Sequence, residues 1–134
     1  MLKKTLSLCL GTLLTVTVAE AAITTDVLGK DSRECVAYAR ARVPSLPYGL
    51  TTWQAKKAIK NSSSCKKGSV AIIDVGNSIG HVAVVEDCDS SGSSQSITIK
   101  ETNWKRGYLT QRTSKTSKIS KSEAELKIYG YYRP

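Results

Sequence analysis

The sequence predicts one α+β domain in which two helices are followed by an antiparallel β-sheet. The length of 134 residues suits a single domain. Helical patterns interrupted by prolines occupy the first half of the chain, whereas short β-rich runs separated by Gly and Ser occupy the second half. The sequence shows no internal repeat.

The first 21 residues have the pattern of a secretory signal peptide. Two lysines at positions 3 and 4 precede an apolar stretch over residues 6–18, and Ala19-Glu20-Ala21 has the spacing of a cleavage site. We expect cleavage after Ala21, which would leave one domain over residues 22–134, secreted or periplasmic and without stable membrane insertion. The apolar stretch is short for a membrane span, so an uncleaved anchor is the less favoured alternative.

The chain is basic, with 20 Lys and Arg against 11 Asp and Glu and a net charge of +9. Loss of Lys3, Lys4 and Glu20 with the leader would leave 18 against 10, a net charge of +8. Such a charge favours anionic partners, and an exported protein meets envelope polymers before nucleic acid. We expect Lys105, Arg106, Arg112 and the later lysines to form this basic surface. Plain solubility is the other explanation.

The helices have clear local signals. Residues 23–30 are predicted as a short polar lead. Asp31, with Glu34 three residues on, is close to a capping box for a helix that continues to about Val43 and stops before Pro44. A second helix is predicted over 51–61, capped by Thr51 or Thr52, and its apolar side is expected to hold Trp53, Ala58 and Ile59.

The second half is predicted as strands. The runs at 70–75 and 81–85 lie on either side of a Gly-Asn-Ser turn, so we expect a hairpin. Further strands are predicted at 96–104, at 107–112 and at 125–132. The polar segment 113–122 is predicted as a solvated loop.

The predicted mature chain holds three cysteines, and export permits disulfides. If the hairpin pairs residues whose numbers sum to about 153, Cys65 lies opposite Cys88 within bridging range. We therefore predict a Cys65–Cys88 disulfide with Cys35 left as the free thiol. An incidental unpaired set is the alternative.

Cys35 and His81 are the candidates for thiol chemistry. Cys35 lies in the first turn of its predicted helix, where the helix dipole favours a thiolate. Arg33 would act in the same direction and Glu34 against it. His81 is the single histidine of the chain, so any imidazole base must be this residue. A buried structural cysteine and an ordinary surface histidine are the alternatives.

Two polar residues can orient His81. Glu101 and Asn103 share a predicted strand face with Ile97 and Ile99, and either can accept a hydrogen bond from an imidazole. We favour Glu101. An ordinary strand end entering a turn is the alternative.

The blocks ECVAYAR, KGSVAIID, GHVAVVED, ITIKETNW and IYGYYRP, in this order and spacing, resemble a CHAP domain (cysteine- and histidine-dependent amidohydrolase/peptidase). The resemblance covers about residues 31–134. It implies a papain-like fold in which N-terminal helices pack on a curved antiparallel sheet. The residues that it assigns are Cys35 as nucleophile, His81 as base and then acid, Glu101 as the third residue, Asn103 as the neighbouring polar group, and Trp53 and Trp104 as substrate-binding aromatics.

The resemblance also implies a function, cysteine-dependent cleavage of a peptidoglycan amide. The bond is either N-acetylmuramoyl-L-alanine or one within the stem or cross-bridge peptide. No cofactor is expected, and no metal, since no acidic cluster is evident near Asp26 and Asp31. Besides peptidoglycan, an anionic envelope polymer or an inhibitor or immunity protein is a candidate partner. The alternatives are an inactive CHAP-fold scaffold and a basic protein that acts on membranes or nucleic acid by charge alone.

Overall fold

A computed structural model describes residues 23–134, and the predicted signal peptide lies outside this range. The elements of the described range, in chain order, are β1 (Ile23–Lys30), α1 (Cys35–Arg42), α2 (Trp53–Ala58), β2 (Val70–Ile73), β3 (His81–Asp89), β4 (Gln95–Thr102), β5 (Tyr108–Thr116), α3 (Ile119–Leu126) and β6 (Ile128–Tyr132). No helix within residues 23–134 is long and apolar enough to cross a membrane.

The six strands form one antiparallel sheet in the order β1-β5-β4-β3-β2-β6. The predicted α+β class is therefore confirmed. The central strands β3 and β4 carry the segments that contain His81 and Glu101, so the sheet brings together two residues that lie 20 positions apart in the sequence.

Two apolar clusters cover the two faces of this sheet. Successive residues of β2 enter different clusters: Val70 packs with residues of α1, whereas Ala71 packs with Leu126 of α3 and Tyr131 of β6. This arrangement explains why β2 is buried at all four positions, because side chains alternate between the faces of a strand. The sheet is thus a rigid support between α1 and α3.

Helix α1 begins at Cys35, later than its predicted cap. Glu34 is the N-cap residue and makes no side-chain capping bond. Asp31 instead extends the edge of the sheet, where its backbone N–H donates to Gly107 at 2.9 Å and its carboxylate pairs with Arg33. The prediction of an Asp31 cap was therefore wrong, and the shift leaves Cys35 as the first residue of the helix.

Helix α2 is shorter than predicted, and the Thr52 hydroxyl caps it by accepting from the Ala55 N–H at 3.1 Å. Its buried residue is Lys56, while Ala58 is exposed. The prediction was wrong at Ala58, whereas Ile59 packs against the apolar core as expected. Lys56 is buried because it lies against the turn before β3, where it binds the Ile79 carbonyl.

The hairpin of β2 and β3 forms, but with a register one residue away from the predicted one. Val70 lies opposite Val84 and Ile73 opposite His81. Cys65 lies outside β2. A turn closed by the hydrogen bond from the Ser69 N–H to the Lys66 carbonyl follows it, and the Gly68 N–H donates to Val85 of β3. The Cys65–Cys88 disulfide closes there, with the Cα atoms 6.1 Å apart.

Three polar segments differ from their predicted states. Residues 23–30 form the edge strand β1. Seven of its eight positions are exposed, so no pattern of buried residues predicts this strand. The segment 113–116 continues β5, and residues 119–126 form α3, which buries Ser122 and Leu126. The predicted strand at 125–132 therefore starts only at Ile128, after Lys127 ends α3 with a left-handed φ of 59°.

The disulfide joins two cysteines that lie 23 positions apart in the sequence and closes a loop around the hairpin. Replacement of Cys65 and Cys88 together by Ser is expected to lower the free energy of unfolding by about 3 kcal/mol, because the unfolded chain regains the entropy of the open loop. Urea unfolding of the oxidised protein and of the double variant measures this difference. Equal midpoints, with the bond shown intact in the wild type by mass, would contradict the expectation.

Candidate active site

Cys35 opens α1 beside a cleft. The residue is 8% exposed and is the free cysteine of residues 23–134. The cleft has a volume of about 440 Å³. It is lined by Glu34, Cys35, Val36, Arg40, Gly49, Leu50, Thr51, Lys56 and Ile79. The first backbone N–H groups of a helix have no partner within it, so the thiol lies where an anion is favoured.

His81 opens β3 directly after Gly80, a residue that allows α2 to approach closely. Gly80 has a φ of 72°, and a Cβ atom built there would lie 2.6 Å from the Trp53 ring. The Asn77 side chain accepts hydrogen bonds from the backbone N–H groups of Ile79 and Gly80, both at 2.9 Å. The turn before His81 is therefore held by the hydrogen bonds of the Asn77 side chain and by the packing of Trp53 against Gly80.

The imidazole contacts a fully buried carboxylate. His81 Nε2 lies 3.1 Å from Oε1 of Glu101, which is 0% exposed at the end of β4. With Nε2 engaged by the carboxylate, Nδ1 is the ring nitrogen left for the thiol of Cys35, and the interaction with Cys35 raises the pKa of His81. The structure thus connects Cys35, His81 and Glu101 in a row.

Arg112 completes this row from β5. Its Nε donates to Glu101 Oε2 and its Nη2 to Oε1, both at 2.9 Å, in a two-pronged ion pair. The guanidinium also lies 3.5 Å from the centre of the Trp104 ring, and that ring lies 5.5 Å from the His81 ring. Glu101 is therefore held from two sides.

The sequence assigned Arg112 to the basic surface, and this was wrong because the residue is 4% exposed. Thr110, Arg112 and Ser114 are buried at alternate positions of β5. These residues are all polar, so hydrophobic periodicity gives no signal. The alternation is visible only in the burial of the strand, so the sequence carries no signal for this role of Arg112.

The other predicted site residues lie around this row. Asn103 follows β4 with a left-handed φ of 63° and is exposed, and no hydrogen bond within residues 23–134 joins it to His81. It lines a second cleft with Ser32, Glu34, Arg106 and Gly107. Trp104 covers Arg112 and His81, whereas Trp53 packs beside Gly80 and meets Tyr129 edge-on at 5.5 Å.

A family model described as CHAP domain matches residues 26–103, more than half of the chain. The chain belongs to the CHAP domain family. The match contains Cys35, His81, Glu101 and Asn103 and ends before Arg112. Comparison with curated proteins gave no match, and neither did comparison with solved structures. The family is one of hydrolases of the peptidoglycan amidase and peptidase type.

The pKa of Cys35 in this CHAP site reflects opposing effects. Burial alone would raise the pKa of the thiol. The hydrogen bond and charge of His81, the backbone N–H of Val82 and the charge of Lys56 outweigh burial, so the pKa of Cys35 is lowered. Arg33, the residue predicted to help, is exposed and paired with Asp31.

The pKa values of His81 and Glu101 shift in opposite directions. Burial favours the neutral imidazole, but hydrogen bonds to Cys35 and Glu101 raise the pKa of His81. Burial likewise disfavours the Glu101 carboxylate, yet the hydrogen bonds from Arg112 and His81 lower its pKa. The arrangement therefore favours a thiolate, an imidazolium and a carboxylate in sequence, with the arginine behind them.

Within the described residues, no group of three His, Cys, Asp or Glu side chains lies close enough together to hold a metal ion. The side chains of the site offer a thiol that can ionise, an imidazole beside it and a buried carboxylate that contacts the imidazole.

Removal of the arginine tests how the carboxylate is held. Arg112→Met is expected to lower the free energy of unfolding by about 3 kcal/mol, because Glu101 stays buried without its main counter-ion. Lys115→Met removes an exposed charge from the same strand and serves as the control. Urea unfolding at neutral pH gives both values, and equal losses in the two variants would contradict the expectation.

Proposed function

We propose that this CHAP protein is a secreted or periplasmic cysteine amidohydrolase that cleaves an amide bond of bacterial peptidoglycan. The observation that carries the proposal is the connected row of Cys35, His81 and Glu101 at the edge of an open cleft. A thiol, an imidazole and a buried carboxylate in this order are the parts that acyl transfer to a cysteine needs.

The proposed reaction proceeds through an acyl-enzyme. The Cys35 thiolate attacks the carbonyl carbon of the amide, and the resulting oxyanion is stabilised by backbone N–H groups at the start of α1. The His81 imidazolium gives its proton to the leaving amine nitrogen as the C–N bond breaks. His81 then removes a proton from water, which hydrolyses the thioester and restores the thiol site. Glu101 keeps the ring in place through both steps.

The substrate is proposed from the family and from the predicted export of the chain. Peptidoglycan offers the bond between N-acetylmuramic acid and L-alanine and the amides of its stem and cross-bridge peptides. The exposed basic residues Lys105 and Arg106 lie beyond β4, next to the cleft that Asn103 lines. They are placed to attract an anionic wall polymer toward the site. Trp104, 41% exposed, offers a ring on which a substrate can stack.

The nucleophile is tested with purified protein and isolated peptidoglycan. The wild type is expected to release fragments, and Cys35→Ser is expected to lower the rate at least about a thousandfold, because the hydroxyl is a far weaker nucleophile than a thiolate. Ser93→Ala, an exposed substitution in the β3–β4 loop, is the matched control and should keep full activity. Mass spectrometry of the soluble fragments measures the rate and identifies the bond.

The products separate the remaining possibilities. Glycan strands free of peptide, together with new alanine amino termini, identify an amidase, whereas shortened peptides still attached to sugar identify an endopeptidase. Equal fragment release by wild type and Cys35→Ser would overturn the proposal. Wall binding without any cleavage by the wild type would instead support an inactive scaffold.

A further inference from the structure

Lys56 of α2 is a buried charged residue that the proposed reaction does not use. Its side chain is 1% exposed, among the most buried of the described residues. A lysine is rarely buried so completely, because removing an ammonium group from water is costly unless a partner compensates for it. Burial accordingly lowers the pKa of Lys56.

The hydrogen bonds of Lys56 leave its charge without a close carboxylate. Its Nζ donates to the backbone carbonyl oxygen of Ile79 at 2.7 Å, and within residues 23–134 it takes part in no salt bridge. A carbonyl oxygen orients the ammonium but carries no net charge. Compensation comes from the carboxylate of Glu34, which lines the same cleft, and from a group that becomes negative on ionisation.

Cys35 is the candidate for that group. Lys56 and Cys35 line the same cleft, one from α2 and the other from α1. Lys56 also reaches the turn before His81, because its Cδ lies 3.4 Å from the position of a Cβ built on Gly80. Lys56 therefore lies against the turn that carries the imidazole and lines the cleft onto which the start of α1 opens.

Three other charged or titratable groups lie around Cys35. His81 faces the thiol from β3, Glu34 precedes it at the start of α1, and Arg40 lines the cleft from one turn further along α1. The Arg40 guanidinium is engaged by the carbonyl oxygens of Leu46 and Pro47. Glu34 opposes a thiolate, which leaves His81 and Lys56 as the cations that favour it.

We propose that Lys56 is a positioning residue of the Cys35 site, whose buried ammonium stabilises the thiolate and holds the turn before His81. This inference rests on the proposed function, since it concerns the same nucleophile. Lys56 is 1% exposed and Cys35 is 8% exposed, and an electrostatic interaction between buried groups is stronger than one at the surface. It is also less screened by salt.

A purely structural role would need only the hydrogen bond to Ile79. Lys56→Gln keeps an N–H donor but removes the charge, whereas Lys56→Arg keeps a charge. Lys67→Gln removes an exposed charge from the turn before β2 and controls for the net charge of the protein. The three variants together separate electrostatic stabilisation of the thiolate from support of the turn.

The measurement is the pH dependence of alkylation of Cys35 by iodoacetamide, followed by mass on the tryptic peptide of residues 34–40. We expect Lys56→Gln to raise the apparent pKa of the thiol by about one unit, which slows alkylation about tenfold below that pKa. Lys56→Arg and Lys67→Gln should stay close to the wild type, also in 1 M NaCl. An unchanged pKa in Lys56→Gln would overturn the proposal.

A reciprocal experiment leaves Lys56 in place and so does not depend on the folding of its variants. Cys35→Ser removes the thiolate, and linkage requires the pKa of Lys56 to fall by the amount that Lys56 lowers the pKa of Cys35. Titration of the lysine side-chain resonances by NMR measures this shift. A Lys56 resonance that titrates identically in wild type and Cys35→Ser would also overturn the proposal.

These readouts are independent of peptidoglycan cleavage. A Cys35 thiol with lowered pKa that responds to Lys56→Gln supports the inference even if no wall fragment is released. Wall cleavage by the wild type, together with a pKa of the Cys35 thiol that is unchanged in Lys56→Gln, would support the proposed function and refute the inference.

Discussion

The carboxylate of Glu101 must find partners, because a buried unpaired charge would cost several kcal/mol. It finds them on two sides. Arg112 donates two hydrogen bonds from β5, and His81 supplies a third contact from β3. The side-chain contacts of Glu101 thus join the neighbouring strands β5, β4 and β3. The orientation of the imidazole then follows from the pairing of the carboxylate.

The rest of the molecule positions the thiol against that imidazole. The N-terminus of α1 presents Cys35, and the turn before β3 presents His81. Gly80 permits α2 to pack directly on this turn, and Lys56 binds the Ile79 carbonyl there. The proposed nucleophile and base therefore lie at a helix start and a strand start rather than on long loops, as a site that needs fixed geometry requires.

The sequence was informative where residue type and spacing have a direct structural meaning. The alternation of β4 predicted that Glu101 shares a face with Ile97 and Ile99, and the single histidine of the chain left one candidate for an imidazole base. Three features could not be predicted. The partner of Arg112 depends on strand register, which a polar strand does not specify. Helix periodicity gives no reason to bury Lys56. Edge strand β1, with seven exposed positions, is held by backbone pairing with β5 rather than by an apolar face.

Titration of the His81 imidazole by NMR tests most directly whether Glu101 controls the base. The chain has one histidine, so its ring resonances need no assignment by mutagenesis. The pKa of His81 is raised in the wild type partly by the hydrogen bond and charge of Glu101. The pKa of His81 is expected to be lower in Glu101→Gln, where the side chain stays polar but loses its charge. A pKa of His81 that is unchanged in this variant would contradict it.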